Sequence, residues 1–186
     1  MSVTPEAAQT AIPKGVWRVD PAHSKVGFAV KHMGVATVRG EFGEFEGSLE
    51  IGDDIATSRA SGTVKTASVD TNQEQRDGHL RSADFFEVDA HKAVTFRSTR
   101  VRRDGEDYMV DGELTLKSIT KPISLRLELG GFGPDPFGGT RAGFSAIGEL
   151  KRSDFGVDFN AVLEAGGVVV GDRVDIYLEI EAVLNA

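Results

Sequence analysis

Between Ile123 and Leu129 apolar and polar residues alternate without a break. Ile123, Leu125, Leu127 and Leu129 fall on one side of an extended chain, and Ser124, Arg126 and Glu128 fall on the other. A period of two marks a strand buried on one face only. The same rhythm returns along the chain. Val26, Phe28 and Val30 alternate with Lys25, Ala29 and Lys31; TVRGEFGEFEGSLEI follows with Phe42 and Phe45 of opposite parity, which requires a bulge or bend near Gly43. Glu41, Glu44, Glu46 and Glu50 are read as its solvated outer edge rather than a metal site. Past a turn at Gly52-Asp53-Asp54, ASGTVKTASVD is a third strand and AVTFRSTRVRR a fourth. Asp104-Gly105 marks a hairpin into YMVDGELTLKS, and a tight turn at Thr120-Lys121-Pro122 opens ISLRLEL. GGFGPDPFGGTR reads as a loop and RAGFSAIGELK as a strand. RSDFGVDFNAVLEAGG is an excursion with one helical turn near Ala161 to Glu164, and RVDIYLEIEAVL closes the chain.

About eight antiparallel strands joined by short turns curl most simply into a barrel, which leaves no exposed edges. The interior of such a barrel is either filled by side chains or hollow around one ligand. Small residues within strands (Gly27, Ala29, Gly62, Gly112, Ala142, Gly143, Ala146, Gly148) and 11 phenylalanines favour an apolar tunnel suited to a long hydrocarbon. Phe28, Val30, Phe42, Phe45, Phe85, Phe86, Phe96 and Phe144 are the lining candidates, with plain core packing as the alternative for any one of them.

One segment breaks the β habit: SVDTNQEQRDGHLRSADFFEV, from Ser68 to Val88. Thr71 stands three residues before Glu74, the spacing of a capping box, so a short helix is expected from there to about Leu80. Gly78 costs that helix on the order of 1 kcal/mol relative to Ala, so the helix needs tertiary support. Ser82 caps a second turn bearing Phe85 and Phe86. The segment is expected to lie as a cover over the barrel end, aromatic rings down, with Asp70, His79 and Arg81 near the rim.

Acidic residues outnumber basic ones, 29 to 21, for a net charge of −8, which argues against nucleic-acid binding and against anionic membrane surfaces. Without cysteine there is no disulfide, thiolate metal site or cysteine nucleophile. No two histidines have the i, i+4 spacing of a helical metal pair and no HExxH occurs, so no metal or cofactor is expected. GxSxG and phosphate-loop motifs are missing as well. The expected organisation is a loose tail over residues 1–14 and one domain over 15–186. MSVTPEAAQTAIPKG lacks the features of a secretory signal, and no apolar run is long enough to span a membrane, which implies a cytoplasmic protein without stable membrane insertion.

The opening WRVDPAHSKVGFAVKHMGVATVRGEFGEFEGSLEI, the central SVDTNQEQRDGHLRSADFFEV, the ELTLKSITKPISL hairpin and the late DPFGGTRAGFSAIGEL, in that order, resemble the YceI-like family of polyisoprenoid-binding, lipocalin-like proteins. The likeness spans roughly residues 16 to 184. It implies an extended antiparallel barrel with a deep apolar tunnel. An isoprenoid or other long-chain amphiphile would lie inside, its polar head near the helical cover. The family is often periplasmic through a leader peptide, whereas VDFNAVLEAGGVVVGDRV resembles leaderless members, which implies cytoplasmic residence; a periplasmic or secreted location is the alternative if a leader was removed.

The head-group site is expected as a polar clamp in which Arg81 or Arg39 offers charge-assisted donors and Asp70 fixes the imidazole of His79. The bland alternative makes Asp70 a helix-entry cap and Arg81 a solvated partner of Asp84. His32 either joins the site or is a satisfied interior residue, and His23 is equally ambiguous; His91 is expected at the surface. The preferred function is a non-enzymatic carrier or store for a long-chain isoprenoid (polyprenyl or quinone-type) or a fatty amphiphile. The alternatives are an enzyme with His79 as general base oriented by Asp70, and a filled barrel that binds a protein. A homodimer, through a barrel face or the N-terminal tail, is compatible with the sequence.

Overall fold

The computed structural model describes residues 11–185. Its strands are β1 (Gly15–Val19), β2 (Lys25–His32), β3 (Ala36–Phe42), β4 (Phe45–Ile51), β5 (Arg59–Lys65), β6 (Val69–Asp70), β7 (Ala93–Asp104), β8 (Asp107–Leu116), β9 (Ile119–Pro134), β10 (Thr140–Lys151) and β11 (Val170–Leu184), with one helix, α1 (Glu74–Arg81), between β6 and β7. Three pairs of short strands are single staves bent once. β1 and β2 are kinked at Pro21–His23, β3 and β4 at Gly43-Glu44, and β5 and β6 at Thr66–Ser68. The result is eight staves in an antiparallel meander, closed where β11 pairs with β1 (Trp17↔Leu184) and with β2 (Phe28↔Ile176). Neighbouring staves are neighbours in sequence, so short turns suffice almost everywhere.

The bend at Gly43-Glu44 lets Phe42 and Phe45 face the same interior despite their opposite parity. Between β8 and β9 the turn is Lys117-Ser118, both at positive φ (51° and 64°), not Thr120-Lys121-Pro122. Neither residue is a usual choice for a left-handed turn, so the sequence signal is missing there. Pro122 instead lies inside β9, opposite Glu113, in a stretch that β10 does not reach, where a missing N–H leaves no bond unmade on that side. GGFGPDPFGGTR is mostly strand, with only Asp135–Gly139 outside β9 and β10. There the Asp135 carboxylate accepts from the amides of Phe137 and Gly139. The helical turn expected near Ala161 to Glu164 is not formed. A single 3-10 turn spans Arg152–Phe155, and the excursion folds back through a bridge between Val162 and Val168.

Helix α1 starts at Glu74 with the Gln73 side chain capping the Arg76 amide, three residues after the expected start. The Thr71 hydroxyl is engaged elsewhere. It donates to Asp77, a buried carboxylate that also accepts from the Thr71 amide, and it accepts from Arg76 Nε at 2.7 Å. Most of the expected N-terminal tail, residues 1–10, lies outside the described residues. Ile12 packs against the Trp17 cluster, and the Trp17 indole donates to the Pro13 carbonyl at 3.0 Å.

Packing divides along the barrel axis. Trp17, Ala142, Phe144 and Ala182 close one end, and Trp17 is fully buried. Phe85, Leu114, Leu116, Phe155 and Val157 form a cluster under the helical cover at the other end.

Candidate functional site

Between the two clusters runs an apolar cavity of about 300 Å³, at the lower bound of typical small-molecule sites. It follows β11 through Val174, Ile176, Leu178 and Ile180, alternate residues spanning about 20 Å of strand. All eight apolar residues singled out in the sequence (Phe28, Val30, Phe42, Phe45, Phe85, Phe86, Phe96 and Phe144) stand on its wall. Phe28, Phe42 and Phe86 form a contiguous aromatic run, with centroids 5.6 Å apart at each step.

The small residues play three distinct parts, not the single one expected of them. Gly27, Ala29 and Gly143 are out of phase with the inward residues and leave no space inside; the Tyr177 ring covers Gly27 from the exterior. Gly112 and Gly148 face inward but are occupied by the Phe96 ring and by Leu125, as Gly40 is by the Phe28 ring. These glycines seat bulky neighbours flat against the wall and so keep them out of the lumen. Gly62 is the open position: a Cβ there meets only the Glu46 carbonyl at 3.5 Å, and its partner Gly47 lines the cavity beside it.

The polar clamp is not assembled as expected. Asp70 does not hold His79. Its carboxylate accepts from the Asn72 amide at 2.7 Å, as a turn residue, and the imidazole Nε2 of His79 meets Asp84 at 2.9 Å instead. His79 lies edge-on against Phe85 and Phe159, each 5.0 Å away between centroids, so it belongs to the aromatic seam between the cover and the Val157–Phe159 segment. Arg81 is neither a clamp nor a partner of Asp84. It donates to the carbonyls of Ala67 and Val69, both at 3.0 Å, and straps the end of α1 to the β5–β6 stave. Arg39 faces outward, because its partner across the ladder is Ala29 and not Phe28, and its guanidinium lies 5.9 Å from the Tyr177 ring. His32 ends β2 on the same face as Val30. It is half-buried and opposite Val170.

Arg152 was missed by the sequence reading. It is 6% exposed, and it is the one lysine or arginine on the cavity wall among the described residues. Its guanidinium donates to the carbonyls of Gly171, Val157, Phe159 and Val170 at 2.8 to 3.1 Å, and burial pushes it down from the usual arginine range. It thus pins the Val157–Phe159 segment to the start of β11. The signal was present, since Arg152 continues the inward phase of Phe144, Ala146 and Leu150. His91, expected at the surface, is half-buried within reach of Ser118 and Glu87.

At the far, closed end Asp20, His23 and Glu181 come within metal-ligating distance of one another. Arg141 occupies that space: it pairs with Asp20 at 2.8 Å, Glu181 at 2.7 Å and Asp135 at 3.1 Å. Arg141 and, secondarily, His23 hold the Asp20 carboxyl down at about 2. This is an ion-pair network on the outer face of β10 and β11, since Glu181 lies opposite the outward-facing Gly143.

A model of the YceI-like domain matches residues 17–182. Protein YceI of Escherichia coli is 40% identical over 162 residues, covering 87% of this chain and 82% of that one. Among solved structures, BcnA of Burkholderia cenocepacia superposes with a TM-score of 0.77 at 24% identity, covering 88% of this chain and 98% of that one. A polyisoprenoid binding domain from Saccharophagus degradans superposes with a TM-score of 0.64 at 16% identity, covering 93% of this chain and all of that one. The last two likenesses are of fold. The domain match over nearly the whole barrel, together with the Escherichia coli relative, places the chain in the YceI-like family.

Proposed function

We propose that the protein binds a long-chain isoprenoid, polyprenyl or quinone-type, or a comparable amphiphilic lipid in the barrel cavity, as a carrier or store that performs no chemistry on it. The observation behind this reading is the wall itself: aromatic and aliphatic side chains line a continuous space that polar groups barely enter. Each buried CH₂ contributes about 0.8 kcal/mol, so one five-carbon unit offers on the order of 3 kcal/mol before ordering costs. Chain length therefore sets affinity more than any head-group bond. The family's fold and its polyisoprenoid-binding neighbour support a ligand of this class. The resemblance of residues 157–174 to leaderless members supports cytoplasmic residence.

Native mass spectrometry of gently purified protein tests the reading, with retinol fluorescence as the check on unloaded protein. An adduct of lipid mass and saturable retinol binding are expected. Consistent absence of both sinks the proposal and favours a barrel that closes on itself. His79, the base that the enzyme alternative requires, is exposed and paired with Asp84, not with Asp70, which favours the carrier reading.

A further inference from the structure

At the covered end the chain runs past the cavity in two neighbouring tips. One is the turn Met33-Gly34-Val35 between β2 and β3. The other is the Ala161–Val168 excursion, folded back on itself by the Val162–Val168 bridge and a bond from the Leu163 amide to the Gly167 carbonyl. The Met33 amide donates to the Val169 carbonyl at 2.8 Å, so the tips stand side by side. They begin just beyond Val30 and Val170, which line the cavity.

Both tips present bare apolar side chains. Met33 is 43% exposed, Val35 79%, Val162 83% and Val168 45%. These are four of the seven large hydrophobic residues that stand exposed among the described residues. Nor is the second tip a loose loop. The Asn160 side chain braces it by accepting from the Ala161 and Val170 amides and donating to the Val170 carbonyl, and Arg152 pins its base. The apolar residues are therefore held outward by the surrounding bonds.

We propose that the two tips are a docking surface for a lipid bilayer, through which cargo passes into and out of the cavity. The inference rests on the lipid-cargo reading above, because an apolar ligand has to be collected from an apolar phase. Four side chains on two narrow tips fall short of the roughly 800 Å² per partner that a stable protein interface buries. Shallow insertion among head groups needs no matching surface. Charge narrows the choice of bilayer. Between His32 and Ala36 there is no charged residue, and between Phe159 and Val170 only Glu164, while the chain as a whole carries −8. A zwitterionic surface fits, and an anionic one repels. Among the described residues no helix is long and apolar enough to cross a membrane.

The test compares the wild type with a Val35→Asp/Val162→Asp double variant, whose changed positions are too exposed to disturb the core. Wild type is expected to float with phosphatidylcholine vesicles and the double variant to partition at least tenfold less. Retinol transfer out of such vesicles should slow by a similar factor in the variant, while retinol added from ethanol binds both proteins equally. Wild type that stays with the free protein, or a variant that floats as well as wild type, overturns the docking surface even if retinol still binds. A lipid-free dimer seen by sedimentation velocity in wild type and lost in the variant also overturns it, because the tips would then join two copies. Failure of retinol to bind either protein is a separate result, and it counts against the cargo reading.

Discussion

Single residues in this barrel are placed by phase, and one step of register decides between lumen and solvent. Arg39 and Phe28 illustrate it: the two are near neighbours across the β2–β3 ladder, yet one lies on Tyr177 outside and the other lines the cavity. Charged groups follow their partners. Asp20 is held at about 2, first by its bond to Arg141 and then by His23, against an ordinary value of 3.8. A carboxyl depressed in the folded state contributes stability that is complete above its unfolded value and is lost as pH falls toward the folded one. Asp111, Asp135 and Asp172 are lowered in the same sense by their own hydrogen bonds. The urea midpoint should therefore fall as pH drops from about 5 to about 2. Asp20→Asn should flatten part of that slope while lowering the plateau near neutrality. An unchanged slope in the variant would show that the Arg141 network adds nothing to the acid limb.

Elements of the cover depend on the body of the barrel, as the short helix with its internal glycine predicts. α1 has eight residues, and Asp77 is the only one of them that is buried. Its hold on the barrel comes from the Thr71–Arg76–Asp77 bonds at its start, the Arg81 strap at its end, and Phe85 and Phe86 just beyond. Bonds from a charged donor contribute about 1.5–3 kcal/mol when buried, and those of Arg81 are partly solvated, so Arg81→Ala should cost about 1 kcal/mol. The cost should fall mainly on the cover. Amide exchange is expected to accelerate from Glu74 to Val88 and retinol to dissociate faster, with β8 to β10 left at wild-type protection. Uniform acceleration across all staves would mean that the cover and the barrel open as one unit.

Taken as a whole molecule, the eight-stave meander was legible because alternation is a local property, and so were the wall phenylalanines, which inherit their facing from it. The head-group clamp was not. Whether Asp70 or Asp84 reaches His79 depends on how a short helix sits across a barrel end, and no spacing in the sequence encodes that. Of the small residues read as a sign of hollowness, only some bear on it: Gly112 and Gly148 seat bulky neighbours against the wall and Gly62, with Gly47, thins it, whereas Gly27, Ala29 and Gly143 face outward. A hollow interior forgoes packing that a filled one would gain, so the cavity is kept at a cost in stability. Gly62→Leu separates the two. Ala60, Gly62 and Val64 share the inward phase, and the new side chain enters space where a Cβ touches only one carbonyl at 3.5 Å. Replacing a strand glycine and burying an aliphatic side chain should together stabilise the barrel by about 1–2 kcal/mol. The same side chain takes lumen from the ligand, so retinol affinity should drop by about tenfold, equivalent to about 1.4 kcal/mol. Stability rising as binding falls, read from chemical denaturation and fluorescence titration of one preparation, is the expected outcome. A variant that gains stability with undiminished retinol affinity would place the ligand somewhere other than this lumen.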